Sequence, residues 1–149
     1  EYLNAQLVAE LVRPEPDREA VGLAKLDGIG YDAGKRIGAR FAARTGLVTD
    51  SVSAIKVLCK DFWTAMFGKS VDKLQTNNSG TFIFSDVSLR WLQPLASSAA
   101  EDVNRVALRY VTLLGGMARG FLASFGLNCT MEVVELSCPS CMFRCIVPE

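Results

Sequence analysis

Histidine is absent from the 149-residue sequence. Catalytic triads, proton shuttles and metal centres built on imidazole are excluded with it. Net charge is absent as well, with 16 Lys and Arg against 16 Asp and Glu. A nucleic-acid-binding domain needs a basic excess to displace counterions from phosphates, and capture by anionic lipid needs one too. No nucleic-acid partner is therefore expected. No signal peptide is expected either, because Glu1, Asn4 and Glu10 interrupt any apolar run near the start. A clean transmembrane stretch is also missing. The oiliest long segment, Val106 to Leu127, carries Arg109 and Arg119 and is diluted by Gly115, Gly116, Gly120, Ser124 and Gly126. Each arginine costs about 2.5–3.5 kcal/mol near a bilayer centre, so the segment reads as a buried core helix.

What remains is a globular composition. Hydrophobic residues make up 50% of the chain and charged ones 21%, which excludes disorder. Residues 1–149 are expected to form a single domain. An oily chain with no net charge tends to associate. The five cysteines are odd in number, which suits a reducing, cytoplasmic setting better than a secreted disulfide framework.

The hydrophobic spacing predicts a first helix over Tyr2–Arg13, with Leu3, Leu7, Val8 and Leu11 on one stripe, stopped by Pro14 and Pro16. Asp17 to Ala24 reads as a further helical turn or a linker. A second helix is predicted over Gly30–Thr45, with Tyr31, Ile37 and Phe41 on one side and Gly46 closing it in the left-handed conformation. A third follows the N-cap candidates Thr49 and Asp50 and runs through Ile55, Leu58, Phe62 and Trp63 to Gly68. Strands are predicted at Val71–Thr76, Thr81–Asp86 and Leu89–Leu92, the last ended by Pro94, with a turn at Asn77–Gly80. A long helix is predicted over about Ala99–Phe125, then a hairpin of Thr130–Leu136 and Cys141–Val147. Strands and helices do not alternate strictly. The expected fold is thus α+β, a twisted antiparallel sheet of about four strands covered by helices.

Most motifs that suggest chemistry fail on context. Gly28 to Arg36 invites a phosphate-loop reading, but Ile29 stands where the first glycine belongs and Arg36 replaces the magnesium-binding hydroxyl. No strand leads into it, so the dinucleotide fingerprint fails too. Cys138, Cys141 and Cys145 form C-x2-C-x3-C, and Cys129 completes a set of four. A zinc ribbon needs two separated pairs, and a redox CxxC opens a helix after a strand. Core thiols are the preferred reading, with Cys141, Phe143, Cys145 and Val147 on one strand face. Glu132 and Glu135 are expected on opposite faces of their strand, which forms no acid–base pair. No catalytic, metal or cofactor site is expected.

Gly30, Gly34 and Gly38 recur every four residues and make a groove along one helix face. Either a partner chain or a neighbouring element of the same domain fills it. Gly116, Gly120 and Ser124 repeat the spacing in the long helix, where packing inside the domain is the stronger reading. Arg119 lies among them and is expected to hold an internal loop or strand end, because a buried guanidinium left unpaired is prohibitively expensive.

Four runs resemble one family closely. They are Leu58-Cys59-Lys60-Asp61-Phe62-Trp63; Val71-Asp72-Lys73-Leu74-Gln75-Thr76-Asn77; Gly80-Thr81-Phe82-Ile83-Phe84 with Asp86; and Gly116-Met117-Ala118-Arg119-Gly120 with Gly126. Leu26 to Gly34 and Ala39-Arg40-Phe41 fit that family's second helix. The chain resembles a small subunit of TRAPP, the transport protein particle, of the sixth-subunit type. The resemblance implies a mixed α/β fold without catalytic activity of its own. It implies heterodimerisation with the Bet-type TRAPP subunit through the first two helices, contact with other TRAPP subunits, and peripheral placement at Golgi and endoplasmic reticulum membranes. A Rab GTPase is reached only through the assembled complex, which drives its nucleotide exchange. The expected partner face comprises Leu3, Leu7, Leu11, Gly30, Gly34, Ile37, Gly38 and Phe41, and the family's structural motif Lys60, Asp61, Phe62, Trp63, Arg119 and Gly120. A homodimer in isolation stays open. So do a domain that binds a small hydrophobic ligand and a cysteine-based metal or redox protein.

Overall fold

Pro16 opens the first described helix of the computed structural model, which describes residues 16–46, 50–98 and 102–148. The expected helix over Tyr2–Arg13 lies outside the described residues. Helix α1 spans Pro16–Thr45, so the segment Asp17 to Ala24 is helical and runs without a linker into Gly30. A proline in the first turn loses no helical hydrogen bond and its φ is already set for a helix. Gly46 closes α1 with φ of 79°, its N–H donating to the Ala42 carbonyl at 3.0 Å.

Asp50 caps α2 (Ser51–Val57) by accepting a hydrogen bond from the Ser53 N–H. A hydrogen bond with the Ser53 side chain, and after it the backbone bond, hold the Asp50 carboxyl below its usual range. The predicted third helix is not uniform. After α2 the backbone widens into a π-helical turn over Leu58–Phe62 and returns to α geometry in α3 (Trp63–Phe67). The wider turn carries Leu58, Cys59, Phe62 and Trp63 all into the core, with exposures of 4% or less.

The sheet is antiparallel throughout, in the order β1-β2-β4-β3. Strands β1 (Lys73–Thr76) and β2 (Thr81–Asp86) are joined by a turn in which the Asn77 side chain accepts hydrogen bonds from the Ser79 and Thr81 N–H groups. Strands β3 (Thr130–Ser137) and β4 (Ser140–Ile146) form the C-terminal hairpin. Cys141, Phe143 and Cys145 face inward from β4 as the alternation requires.

Two local expectations are corrected. Leu89–Leu92 is not a strand. Arg90–Leu92 is a 3-10 turn that passes into α4 (Gln93–Ala96), where Pro94 lies in the first turn rather than after the last. Leu89 and Leu92, three apart, are both fully buried, a spacing that eclipses on a 3-10 helix and alternates on a strand. The carboxylates Glu132 and Glu135 are both exposed, because a bulge between Val133 and Glu135 shifts the register by one residue.

Helix α5 (Val103–Ser124) lies against β3 and buries a continuous apolar stretch from Leu114 to Ala118. It ends where Leu127 and Gly126 donate to the Leu122 and Ala123 carbonyls, with Gly126 at φ of 83°. The α2–α3 unit meets the sheet beside it, with Trp63 against Phe84 and Phe143 and Phe62 against Phe121. Helix α1 runs along α5. No described helix is long and apolar enough to cross a membrane.

Candidate interaction surface and the buried family motif

The glycine groove of α1 is filled by α5. A Cβ on Gly30 would strike the Leu113 carbonyl oxygen, one on Gly34 the Met117 carbonyl, and one on Gly38 the Ser124 hydroxyl. The arrangement is reciprocal. A Cβ on Gly116 would strike the Asp27 carbonyl, and one on Gly120 the Tyr31 carbonyl. Two small-residue stripes therefore mesh backbone to backbone. Ile37 and Phe41 also face inward, half-buried against the core, with Phe41 edge-on to Phe121 at 5.3 Å. Of the expected partner face, Gly30, Gly34, Ile37, Gly38 and Phe41 thus serve the domain's own packing. Leu3, Leu7 and Leu11 lie outside the described residues. The physical reason is that α5 carries a stripe of the same period, a complementary surface within the same chain.

Arg119 clamps the same contact. Its guanidinium meets the Asp27 carboxylate at 2.7 Å and stacks on the Tyr31 ring, 4.2 Å from the centroid. The backbones of those two residues are the ones that Gly116 and Gly120 admit. The element that Arg119 meets is a helix, where a loop or strand end is expected from the sequence.

The surface of α1 that faces away from α5 went unrecognised in the sequence. Val21 is 54% exposed and Ile29 61%. Gly22 and Gly28 beside them have nothing within 4 Å of where a Cβ would stand. Each interior glycine costs a helix about 1 kcal/mol relative to Ala, and at these two positions nothing in the described chain offsets that. Gly22 and Gly28 break the four-residue period of the other three, and that irregularity is the signal that marks a second face.

The family motif splits by orientation. Phe62 and Trp63 are fully buried, whereas Lys60 and Asp61 face solvent. Trp63 Nε1 donates to Asp86 Oδ2 at 2.9 Å, and Asp86 is 1% exposed. The other carboxylate oxygen accepts from the Ser88 N–H at 3.0 Å and lies 3.1 Å from Lys69 Nζ. Lys69 also pairs with Asp72 at 2.9 Å, and Asp72 accepts from the Val87 N–H at 2.7 Å. The Val87 hydrogen bond, then Lys69, hold the Asp72 carboxyl below its usual range. Burial pulls the Lys69 ammonium down, but its bonds to Asp72 and Asp86 outweigh this and raise it. A charge is buried here with its partners supplied, which is a structural arrangement.

The cysteines fit the core reading. All five are free thiols, and Cys59, Cys129, Cys141 and Cys145 are buried. Burial pushes the Cys59 and Cys141 thiols up to about 12. A hydrogen bond with Cys129, then burial, push the Cys145 thiol up, and the same bond lowers that of Cys129. Cys138 donates instead to the Leu92 carbonyl at 3.4 Å. No group of three His, Cys, Asp or Glu side chains suited to a metal ion occurs among the described residues. A groove of about 680 Å³ opens where the starts of α1 and α5 meet β3, lined by Leu23, Leu108, Val133 and Leu136 and bridged by Glu19 and Arg105.

Comparison with known proteins gives a consistent picture. Residues 1–145 match the model of the family described as Transport protein particle (TRAPP) component. The chain is 31% identical to human trafficking protein particle complex subunit 6A, covering 100% of this chain and 95% of that protein. It is 30% identical to bovine subunit 6B over 85% of this chain and 79% of that one. Among solved structures, a trafficking protein particle complex subunit 3 from Naegleria fowleri, covalently bound to palmitic acid, superposes with a TM-score of 0.70 at 17% identity. The match covers 97% of this chain and 90% of the other, and at that identity it speaks to the fold alone.

Proposed function

The chain belongs to the Transport protein particle (TRAPP) component family, and on that footing we propose that it is a non-catalytic scaffold subunit of a vesicle-trafficking complex. Its partner is the Bet-type subunit, docked on the outer face of α1. The exposed pair Val21 and Ile29, with the unopposed Gly22 and Gly28, is the observation that carries this placement. Small residues let a partner backbone approach, and the two branched side chains supply apolar contact at the centre of the patch. In the assembled particle the chain acts on a Rab GTPase indirectly, as a support for nucleotide exchange, and reaches Golgi and endoplasmic reticulum membranes through its neighbours.

The rival readings draw less support. A thiolate is the metal ligand and the redox nucleophile; the Cys59 and Cys141 thiols, held at about 12, stay protonated at neutral pH, and the Cys129 thiol, although lowered, is buried and hydrogen-bonded to Cys145. The layer between sheet and helices, where a hydrophobic ligand would lie, is filled with contacting rings, among them Trp63, Phe67, Phe84 and Phe143.

The test is co-purification. Val21→Asp with Ile29→Asp is expected to abolish capture of the co-expressed Bet-type subunit while the melting temperature of the isolated chain stays unchanged. Undiminished capture would place the partner on another surface.

A further inference from the structure

Helix α1 sorts its charges by side. Glu19 turns to Arg105 of α5 at 3.5 Å and Asp27 to Arg119 at 2.7 Å. These internal pairs remove anionic charge from the opposite side. Lys25, Arg36 and Arg40 remain exposed there, with Asp32 as the other described carboxylate of the helix. Arg36 and Arg40 make no ion pair among the described residues. Helical periodicity puts Lys25, Asp32, Arg36, Ala39 and Ala43 on the side that carries Val21 and Ile29, with Arg40 at its edge beside Gly22.

Stability of the helix does not account for this pattern. Asp32, four residues before Arg36, favours that one cation, but Arg36 and Arg40, also four apart, repel. The helix dipole favours cations only in the last turn. That suits Arg44, which also stacks on Phe41 at 5.4 Å, but Arg36 lies well before it. Homodimerisation does not account for it either. Two copies of this face set antiparallel bring Arg36 and Arg40 against Lys25, and set parallel they oppose themselves. Each arrangement juxtaposes cations without enough carboxylates to neutralise them.

Building on the outer face of α1 as the partner-binding surface, we propose that its occupant is a helix of another protein bearing an acidic stripe, recognised by Arg36 and Arg40 and, less directly, Lys25. The flanking small residues Ala39 and Ala43 allow that helix close approach, and arginine is suited to bidentate carboxylate pairing. The same charges work against a second copy of this chain, so they discriminate as well as attract.

The experiment uses Arg36→Glu with Arg40→Glu, both exposed, after circular dichroism and thermal melting establish an unchanged fold. Binding of the purified Bet-type subunit is measured by calorimetry at low and high salt. Affinity is expected to fall by at least about tenfold in the variant, and wild-type binding to weaken as salt screens the pairs. A wild-type complex indifferent to both the substitutions and salt overturns the acidic-stripe proposal and leaves the partner assignment standing. No complex with wild type overturns the partner assignment itself. Two controls address the other occupants. Sedimentation of the chain alone is expected to show self-association that does not strengthen at low salt, and a dimer tightest at low salt overturns the proposal. Vesicles of phosphatidylcholine and phosphatidylserine are expected to bind wild type and variant equally. Binding lost in the variant would assign the stripe to a membrane instead.

Discussion

Trp63 joins two parts of the chain that are remote in sequence. Its ring contacts Phe67, Phe84 and Phe143 while its N–H reaches the buried Asp86. Trp63→Phe keeps most of the apolar contact and removes one donor from a carboxylate that solvent does not reach. A lost hydrogen bond to a buried charged group costs about 1.5–3 kcal/mol, so urea unfolding is expected to show a loss of that order with partner binding retained. Arg119 is a milder case, because its side chain is 29% exposed and that of Asp27 42%. Solvent screens such a pair to at most about 1 kcal/mol, and stacking on Tyr31 adds about 0.5–1 kcal/mol. Arg119→Met is therefore expected to lower the melting temperature of the isolated chain by roughly 2–5 °C. A variant that melts like wild type but loses its partner would move Arg119 to the interface.

Among elements, α1 holds its place through glycines whose roles differ by face. At Gly34 even one added methyl meets the backbone of Met117, which moves only if the helices part. At Gly22 the same methyl meets open space. Gly34→Ala is expected to destabilise the chain despite alanine's better helix propensity, and to expose α1 to limited proteolysis. Gly22→Ala is expected to stabilise it by about 0.5–1 kcal/mol, the ordinary gain for replacing an exposed helical glycine. Equal effects at the two positions would mean that α1 does not seat on α5 as described. The π-helical turn serves the neighbouring element in a similar way. It spaces Leu58, Cys59, Phe62 and Trp63 so that all four meet the core, while Lys60 and Asp61 stay in solvent.

For the whole molecule, stability depends on pH chiefly through buried thiols on the alkaline side. Unfolded cysteine ionises near 8.5, whereas Cys59 and Cys141 hold their protons to about 12 in the folded chain. Above about pH 8.5 the unfolded state releases protons that the folded state retains, so stability falls as pH rises and goes on falling to about pH 12. Each thiol contributes about 2 kcal/mol of that loss by pH 10. Guanidinium unfolding at pH 7 and pH 10 checks this. The drop between the two is expected to be smaller in Cys141→Ala, although that variant is less stable at pH 7 because it leaves a cavity. On the acid side the depressed Asp72 carboxyl contributes stability that is present above about pH 4 and lost as pH falls through its folded value.

Much of this was determined by the sequence alone, where a local rule sufficed. Two-residue alternation placed Cys141, Phe143 and Cys145 in the core, the apolar period set the long helix, and Gly46 and Gly126 marked helix ends. The missing histidine and balanced charge excluded whole classes of chemistry before any coordinate was known. Other features follow from contacts between remote segments, which no window of sequence contains. A stripe of glycines permits close approach but does not name what approaches, and only the meeting of α1 with α5 decided that Gly30, Gly34 and Gly38 belong inside the domain. The same meeting left Val21 and Ile29 outside. The bulge that brought Glu132 and Glu135 to one face and the joining of Trp63 to Asp86 are likewise tertiary. Burial and pairing are relations between elements, so the face that remains for a partner is known only once the chain's own surfaces have been matched.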